Sequence, residues 1–265
     1  MTAIVFIQGF IGIGVANLFD LNPLVGVNAT AGAHVCGPGT SAAFGEIYEV
    51  LGAIGASEAG IASATAGLAL GSLTGGPVAS LIIRCHKLKA DPTEETFRND
   101  DTSHVKLNKD RVFRSLALII ITGALGIPIQ ALLKMIPMIE VPYFIGMPFS
   151  GAIVRNVMEA FNMTFFEEEI SMIESISLEI FLSITIMTLD FATILHLVGP
   201  IIIMIVLDLV ATLAFAAFVC FPAYGKDYDA AVMTAGFIGT AMGSGTNAIA
   251  NQQSVMNEFG YSHKA

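Results

Sequence analysis

Six side chains with hard oxygen atoms, Thr40, Ser41, Ser244, Thr246, Asn247 and Asn251, stand in or beside two uncharged, glycine-rich stretches. These are Val35 to Ala43 (VCGPGTSAA) and Met242 to Ala250 (MGSGTNAIA). Setting Gly37 on Gly243 also brings Gly39 onto Gly245, Thr40 onto Thr246, Ala42 onto Ala248 and Ala29 onto Ala235. Gly37, Gly39, Gly243 and Gly245 permit close approach of backbone to a ligand. Freed N–H groups at a helix start suit an anion, and the oxygens of Thr40, Thr246, Asn247 and Asn251 suit a hard cation. The plainer alternative is that these small residues only pack the segments against neighbouring helices. Paired, broken, small-residue segments in two halves of a membrane protein point to a transporter's binding site.

The elements that must position these residues follow from composition. In 265 residues the chain is 54% hydrophobic and only 13% charged, with a mean hydropathy of +0.74. Soluble domains carry about 25% charged residues, so the chain reads as an all-α membrane protein. The net charge of -10 leaves no basic face for nucleic acid. Cys36, Cys85 and Cys220 have neither disulfide nor metal-ligand spacing. Gly-x-Ser-x-Gly, His-Glu-x-x-His and P-loop patterns are lacking, which argues against an enzyme and against ATP-driven transport.

Residues 3–19 make a short first span, stopped by Asp20, Leu21, Asn22 and Pro23. Residues 24–50 are too polar for a lipid-facing helix and too apolar for a solvated loop, the signature of a re-entrant hairpin. In the span 51–83, Ser63, Gly67, Gly71 and Gly75 form one small-residue stripe for close helix packing, and Gly75, Gly76 and Pro77 predict a bend or unwinding. Residues 84–114 hold eight of the twelve Lys and Arg residues, which makes this central loop cytoplasmic. Four further spans, 115–136, 142–158, 176–196 and 199–221, lead to a second hairpin at 229–256 that enters from the opposite face. The organisation is then an inverted-repeat secondary transporter: a first half ending at residue 83, the central loop, and a second half over 115–265. Matching the halves predicts about three spans before Met1 and one after Ala265, so the chain reads as incomplete at both ends.

Asp229 opens the second hairpin and is suited to cap it. Asp190 and Asp208 fall inside spans, where an ionisable group is a functional candidate by default. Gln8 and His196 read as structural residues, and His34, three residues before Gly37, stands between a site role and packing, with packing favoured.

Gln8 to Gly26 (QGFIGIGVANLFDLNPLVG), Thr65 to Ala79 (TAGLALGSLTGGPVA), Gly225 to Val232 (GKDYDAAV) and Ala248 to Ala265 (AIANQQSVMNEFGYSHKA) resemble the bacterial sodium/glutamate symporters, a family similar in architecture to the 2-hydroxycarboxylate symporters. The resemblance implies ten helices in two inverted halves of five, with a re-entrant loop before the last helix of each. This chain would start at the fourth helix and stop before the tenth. Sodium-coupled symport of L-glutamate through the cytoplasmic membrane is implied, by elevator-type alternating access. Sodium is the coupling ion with no other cofactor, the bilayer is the surroundings, and a homodimer remains open. A symporter of citrate or another carboxylate, and a non-transporting truncated remnant, are the alternatives. The implied substrate ligands are Gly37, Gly39, Thr40, Ser41, Gly243, Ser244, Gly245, Thr246 and Asn247, and the implied sodium ligands are Thr40, Thr246, Asn247 and Asn251. Three departures stand out: Pro38 occupies the His position of the family's Gly-Gly-His-Gly-Thr-Gly, Gly245-Thr246-Asn247 replaces Thr-Pro-Thr, and no family acid corresponds to Asp208.

Overall fold

The structure, a computed structural model, describes residues 1–90, 108–135, 144–188, 191–262 and 264. The regular elements among them are all helical. Among the described residues three helices are long and apolar enough to cross a membrane, Ala56–His86, Lys109–Leu133 and Leu195–Tyr224, since about 20 residues span the hydrocarbon core. Two compact units result, residues 1–101 with 188–265, and residues 102–187.

In the larger unit, α1 (Thr2–Leu18) ends at Asp20, whose φ of 53° is left-handed. Asn22 then starts α2 (Pro23–Val27): its side chain accepts from Leu24 N–H, and Pro23 fills the first turn, where its missing N–H costs nothing. The helix continues as a π turn over Asn28–Gly32 and breaks at Val35 and Cys36, and α3 (Gly37–Val50) returns. The 24–50 segment is therefore two helical arms with one short break, because its apolar arms satisfy their backbone groups internally. Gly37, at φ 79°, supplies a turn conformation that L side chains rarely adopt.

From α4 (Ala56–His86) onward three boundaries differ from expectation. Despite Gly75, Gly76 and Pro77, α4 runs unbroken for 31 residues, and Thr74 Oγ1 donates to Leu70 O along it. The expected stop between 196 and 199 is absent. α8 (Phe191–Phe215) passes through Pro200, then continues as a π turn (Ala216–Cys220) into α9 (Phe221–Tyr224). The helix that precedes it begins at Glu167, where three carboxylates favour the positive end of the helix dipole. Asp190 lies outside the described residues, as does most of the central loop.

The second hairpin is α10 (Tyr228–Ala241), a turn, and α11 (Gly245–Phe259). Its N-cap is Asp227, not Asp229: the Asp227 carboxylate accepts from Ala230 N–H at 2.7 Å. Asp229, two residues on, instead accepts from Ser262 Oγ at 2.7 Å and pairs with Lys264. A cap must precede the first helical residue with extended backbone, and Asp227 does so at ψ -174°.

The smaller unit holds α5 (Lys109–Leu133), α6 (Gly146–Ala160) and α7 (Glu167–Thr188). Gly126 and Gly146 bring α5 and α6 into backbone contact, and Ser150 Oγ donates across the seam to Thr122 O at 2.6 Å. With 15 residues, α6 is too short to cross a bilayer alone.

Candidate functional site: two broken hairpins on one helix

The glycine stripe of α4 is the floor on which both hairpins sit. A Cβ on Gly60 would collide with Ser41 and Asn28 of the first hairpin. One on Gly71 would lie 3.0 Å from Met242 Cβ, and one on Gly75 would meet Asn251 and, at 3.0 Å, Ala235 O, all in the second hairpin. Gly67 serves both: its Cβ would stand 2.6 Å from His34 Cδ2 and 2.9 Å from Met242 O. The two breaks themselves touch, since a Cβ on Gly37 would lie 3.4 Å from Gly243 O. Because α3 starts at Gly37 and α11 at Gly245, two helix N-termini originate at this meeting point.

Side-chain amides lock each hairpin. Asn28 Nδ2 donates to Ser41 O at 2.9 Å and to Ala56 O at 2.7 Å, joining both arms of the first hairpin to the start of α4. Asn251 Nδ2 donates to Gly71 O at 2.9 Å and Ala235 O at 3.4 Å, and Asn247 Nδ2 donates to Leu68 O at 2.8 Å. Ser244 caps α11, accepting from Asn247 N–H at 3.2 Å. The break of the second hairpin thus carries a side-chain cap; Cys36, before the first return helix, provides none.

Burial sorts the expected site residues. Gly37, Ser41, Gly243 and Asn251 are buried, Thr40, Ser244 and Asn247 half-buried, and Gly39, Gly245 and Thr246 exposed. The fold brings Gly37 and Gly243 together, while Ser41 lies against Gly60 and Asn251 against Gly75, on either side of Gly67 along α4. Ser41 Oγ turns inward to Asn28 O, and the Asn251 amide hydrogens are taken up by carbonyls. Thr40, Gly39, Gly245 and Thr246 remain the members open to an incoming molecule.

Behind the first break lies a polar layer that local sequence did not reveal. His34 Nδ1 is 2.8 Å from Asp208 Oδ2 and its Nε2 is 3.1 Å from Ser63 Oγ, which in turn donates to Ala29 O at 2.5 Å. His34, Ser63 and Asp208 are all 0% exposed. Gln8 is buried too, its amide donating to Thr212 Oγ1 at 3.2 Å and Ala241 O at 3.1 Å. His34 therefore does more than pack: it is the partner of the acid that falls inside α8. The one available signal was a lone acid in an apolar helix, which demands a partner; it could not say which one.

The model of the sodium/glutamate symporter family matches residues 1–261. The chain belongs to that family. The sodium/glutamate symporter of Haemophilus influenzae is 32% identical over 271 residues, which cover 99% of this chain and 67% of the relative. That of Escherichia coli K12 is 33% identical over 275 residues, covering 100% of the chain and 67% of the relative, and that of Shigella flexneri gives the same values. No solved structure matches the chain. This family membership and the apolar helices make it a multi-pass protein of the cytoplasmic membrane. The stretches GKDYDAAV and AIAN, which carried the resemblance, form the start of α10 with its Asp227 cap and the arm that Asn251 pins to α4.

Proposed function

We infer that this symporter-family chain carries L-glutamate across the cytoplasmic membrane together with sodium, as a transporter and not an enzyme. The observation that carries this reading is the convergence of two uncharged helix breaks on Gly67, alongside relatives named sodium/glutamate symporters. The hairpins are re-entrant, enter from opposite faces as parts of two inverted halves, and move together in elevator-type alternating access. Helix N-termini at Gly37 and Gly245 receive substrate carboxylates, because unpaired N–H groups and the dipole attract an anion without a buried arginine. Gly37 and Gly243 keep the backbones close. Gly39, Thr40, Ser41, Ser244, Gly245, Thr246 and Asn247 form the substrate face, with sodium held by oxygens of Thr40, Thr246, Asn247 and Asn251.

Glutamate carries one net negative charge, so one sodium makes the cycle electroneutral and each further sodium adds about 2.3 kcal/mol per 100 mV of membrane potential. Uptake of labelled L-glutamate into vesicles, with and without an inward sodium gradient, tests the proposal. Gradient-dependent uptake is the expected result, and uptake unchanged by sodium overturns it. Competition by excess citrate but not by glutamate would reassign the substrate to another carboxylate.

A further inference from the structure

The first hairpin's His34 ring makes polar contacts whose directions can be deduced. Ser63 has a single hydroxyl hydrogen, and at 2.5 Å from Ala29 O it must donate there, since a carbonyl oxygen only accepts. Ser63 Oγ can then only accept from His34, so Nε2 carries a hydrogen. On the other side, 2.8 Å separates Nδ1 from Asp208 Oδ2. One proton must lie between them: either Nδ1–H donates to a carboxylate, or a carboxylic acid donates to Nδ1. Both arrangements have net charge zero. Without that proton, a carboxylate would face an imidazole lone pair, and one uncompensated negative charge would be left in the interior.

The surroundings offer no substitute. From α1 comes Gln8, whose amide hydrogens go to Thr212 and Ala241 O. From α4 come Ser63 and Gly67, and the turn after α10 adds the Met242 carbonyl against Gly67. None of these titrates. Asp208 Oδ1 is buried without a hydrogen-bond partner, so the acid has no second donor to hold its charge. Breaking a buried pair by removing one partner is costly because it strands a charge.

We propose that His34 and Asp208 form a proton-binding site whose occupancy holds the first hairpin against α8 and α4. Both side chains are 0% exposed, so the proton meets water only when the hairpin parts from α8. It is thus a ligand of one hairpin arrangement, separate from the sodium ligands assigned above. The docked arrangement is favoured at low pH and is lost as pH rises and the shared proton leaves.

The test uses the full chain purified in detergent without glutamate, so its outcome is independent of whether the chain transports that acid. Thermal midpoints are measured from about pH 6 to about pH 9 for the wild type and Asp208→Asn. The asparagine amide can donate to Nδ1 permanently, replacing the exchangeable proton. The wild type is expected to lose about 2–4 °C more than the variant across this range. In a Cys85→Ser background, thiol labelling of exposed Cys36, just before the first return helix, should accelerate with pH more in the wild type than in Asp208→Asn. Parallel pH profiles in both measurements overturn the proposal. Should Asp208→Asn not fold, His34→Gln replaces it: a flattened profile supports the site, and a wild-type profile overturns it.

Discussion

The first hairpin is held from within and behind: Asn28 ties its arms to each other and to Ala56, while His34 reaches back to Asp208 on α8. The second is held from the front, where Asn247 and Asn251 reach carbonyls of Leu68 and Gly71 on α4. Aligned glycines also serve different ends. Gly37 is needed for its left-handed φ of 79°, whereas Gly243 is needed for space, since a Cβ there would lie 2.7 Å from Asn247 Nδ2 and 3.1 Å from Leu68 Cα. Similar sequence has therefore been fitted to dissimilar packing. Around the second break Gly245 and Thr246 stay exposed above buried Met242 and Gly243, and around the first Cys36 and Gly39 stay exposed above buried Gly37, Pro38 and Ser41. The two breaks are equally open, and the first is the more strongly anchored.

Gly67 is where the two anchors meet, so it offers the largest perturbation. Gly67→Ala puts a methyl group against both His34 and Met242 O and should cost about 3 kcal/mol, at the upper end for overpacking. Thermal unfolding in detergent measures it. Gly60→Ala and Gly75→Ala each confront one hairpin. Labelling at Cys36 and at an introduced Thr246→Cys, in the Cys85→Ser background, should report loosening of the first break alone for Gly60→Ala and of the second alone for Gly75→Ala. If both reporters respond equally to both variants, each glycine supports both hairpins and the contrast between their anchors fails.

The amide locks come next. Asn28→Ala leaves two buried carbonyls without their donor, at bonds of 2.9 and 2.7 Å, and should cost about 2–3 kcal/mol. Asn251→Ala removes bonds of 2.9 and 3.4 Å and should cost about 1–2 kcal/mol. Denaturation of the two variants under identical conditions ranks them. The reverse order would mean that the second hairpin carries the tighter anchor.

Gly37→Ala forces an L side chain into left-handed backbone, at about 1–2 kcal/mol. Gly37→Asn should recover most of that loss, because asparagine tolerates the conformation. Thermal midpoints of the pair separate conformational strain from simple crowding by the larger side chain. Equal losses would assign Gly37 to space, as for Gly243.

What the sequence disclosed depended on the range of the interaction. The breaks were readable, because Gly37 and Gly243 interrupt apolar runs within a few residues, and so was the stop formed by Asn22 and Pro23, where the cap and its helix adjoin. The small-residue stripe was readable as packing, but not that two different hairpins share it, since Met242 and His34 approach Gly67 from distant parts of the chain. The stop expected between 196 and 199 fails because the apolar helix runs on through it, and even Pro200 forfeits only one hydrogen bond without ending the helix. Asp227 and Asp229 are the same residue type two positions apart, and only backbone dihedrals decide which one caps. Asp208 could be recognised as a charge in need of a partner, but His34 lies 174 positions earlier, and no local periodicity connects them.

The smallest effect tests the contrast between the breaks most closely. Ser244 has extended backbone, φ -162° and ψ 165°, the geometry from which a hydroxyl reaches the N–H three residues on. Ser244→Ala should therefore cost about 1 kcal/mol. Cys36, at φ -97° and ψ -14°, is already in the helical region, so Cys36→Ser places a hydroxyl where it cannot reach the same donor and should change stability by less than about 0.5 kcal/mol. Paired unfolding curves decide between two descriptions of the repeat. A gain from Cys36→Ser comparable to the loss from Ser244→Ala would show that the first break can adopt the capped geometry of the second, making the two conformationally interchangeable. No gain leaves the first return helix with its leading N–H groups uncapped by the chain, the condition under which an incoming carboxylate has most to offer them.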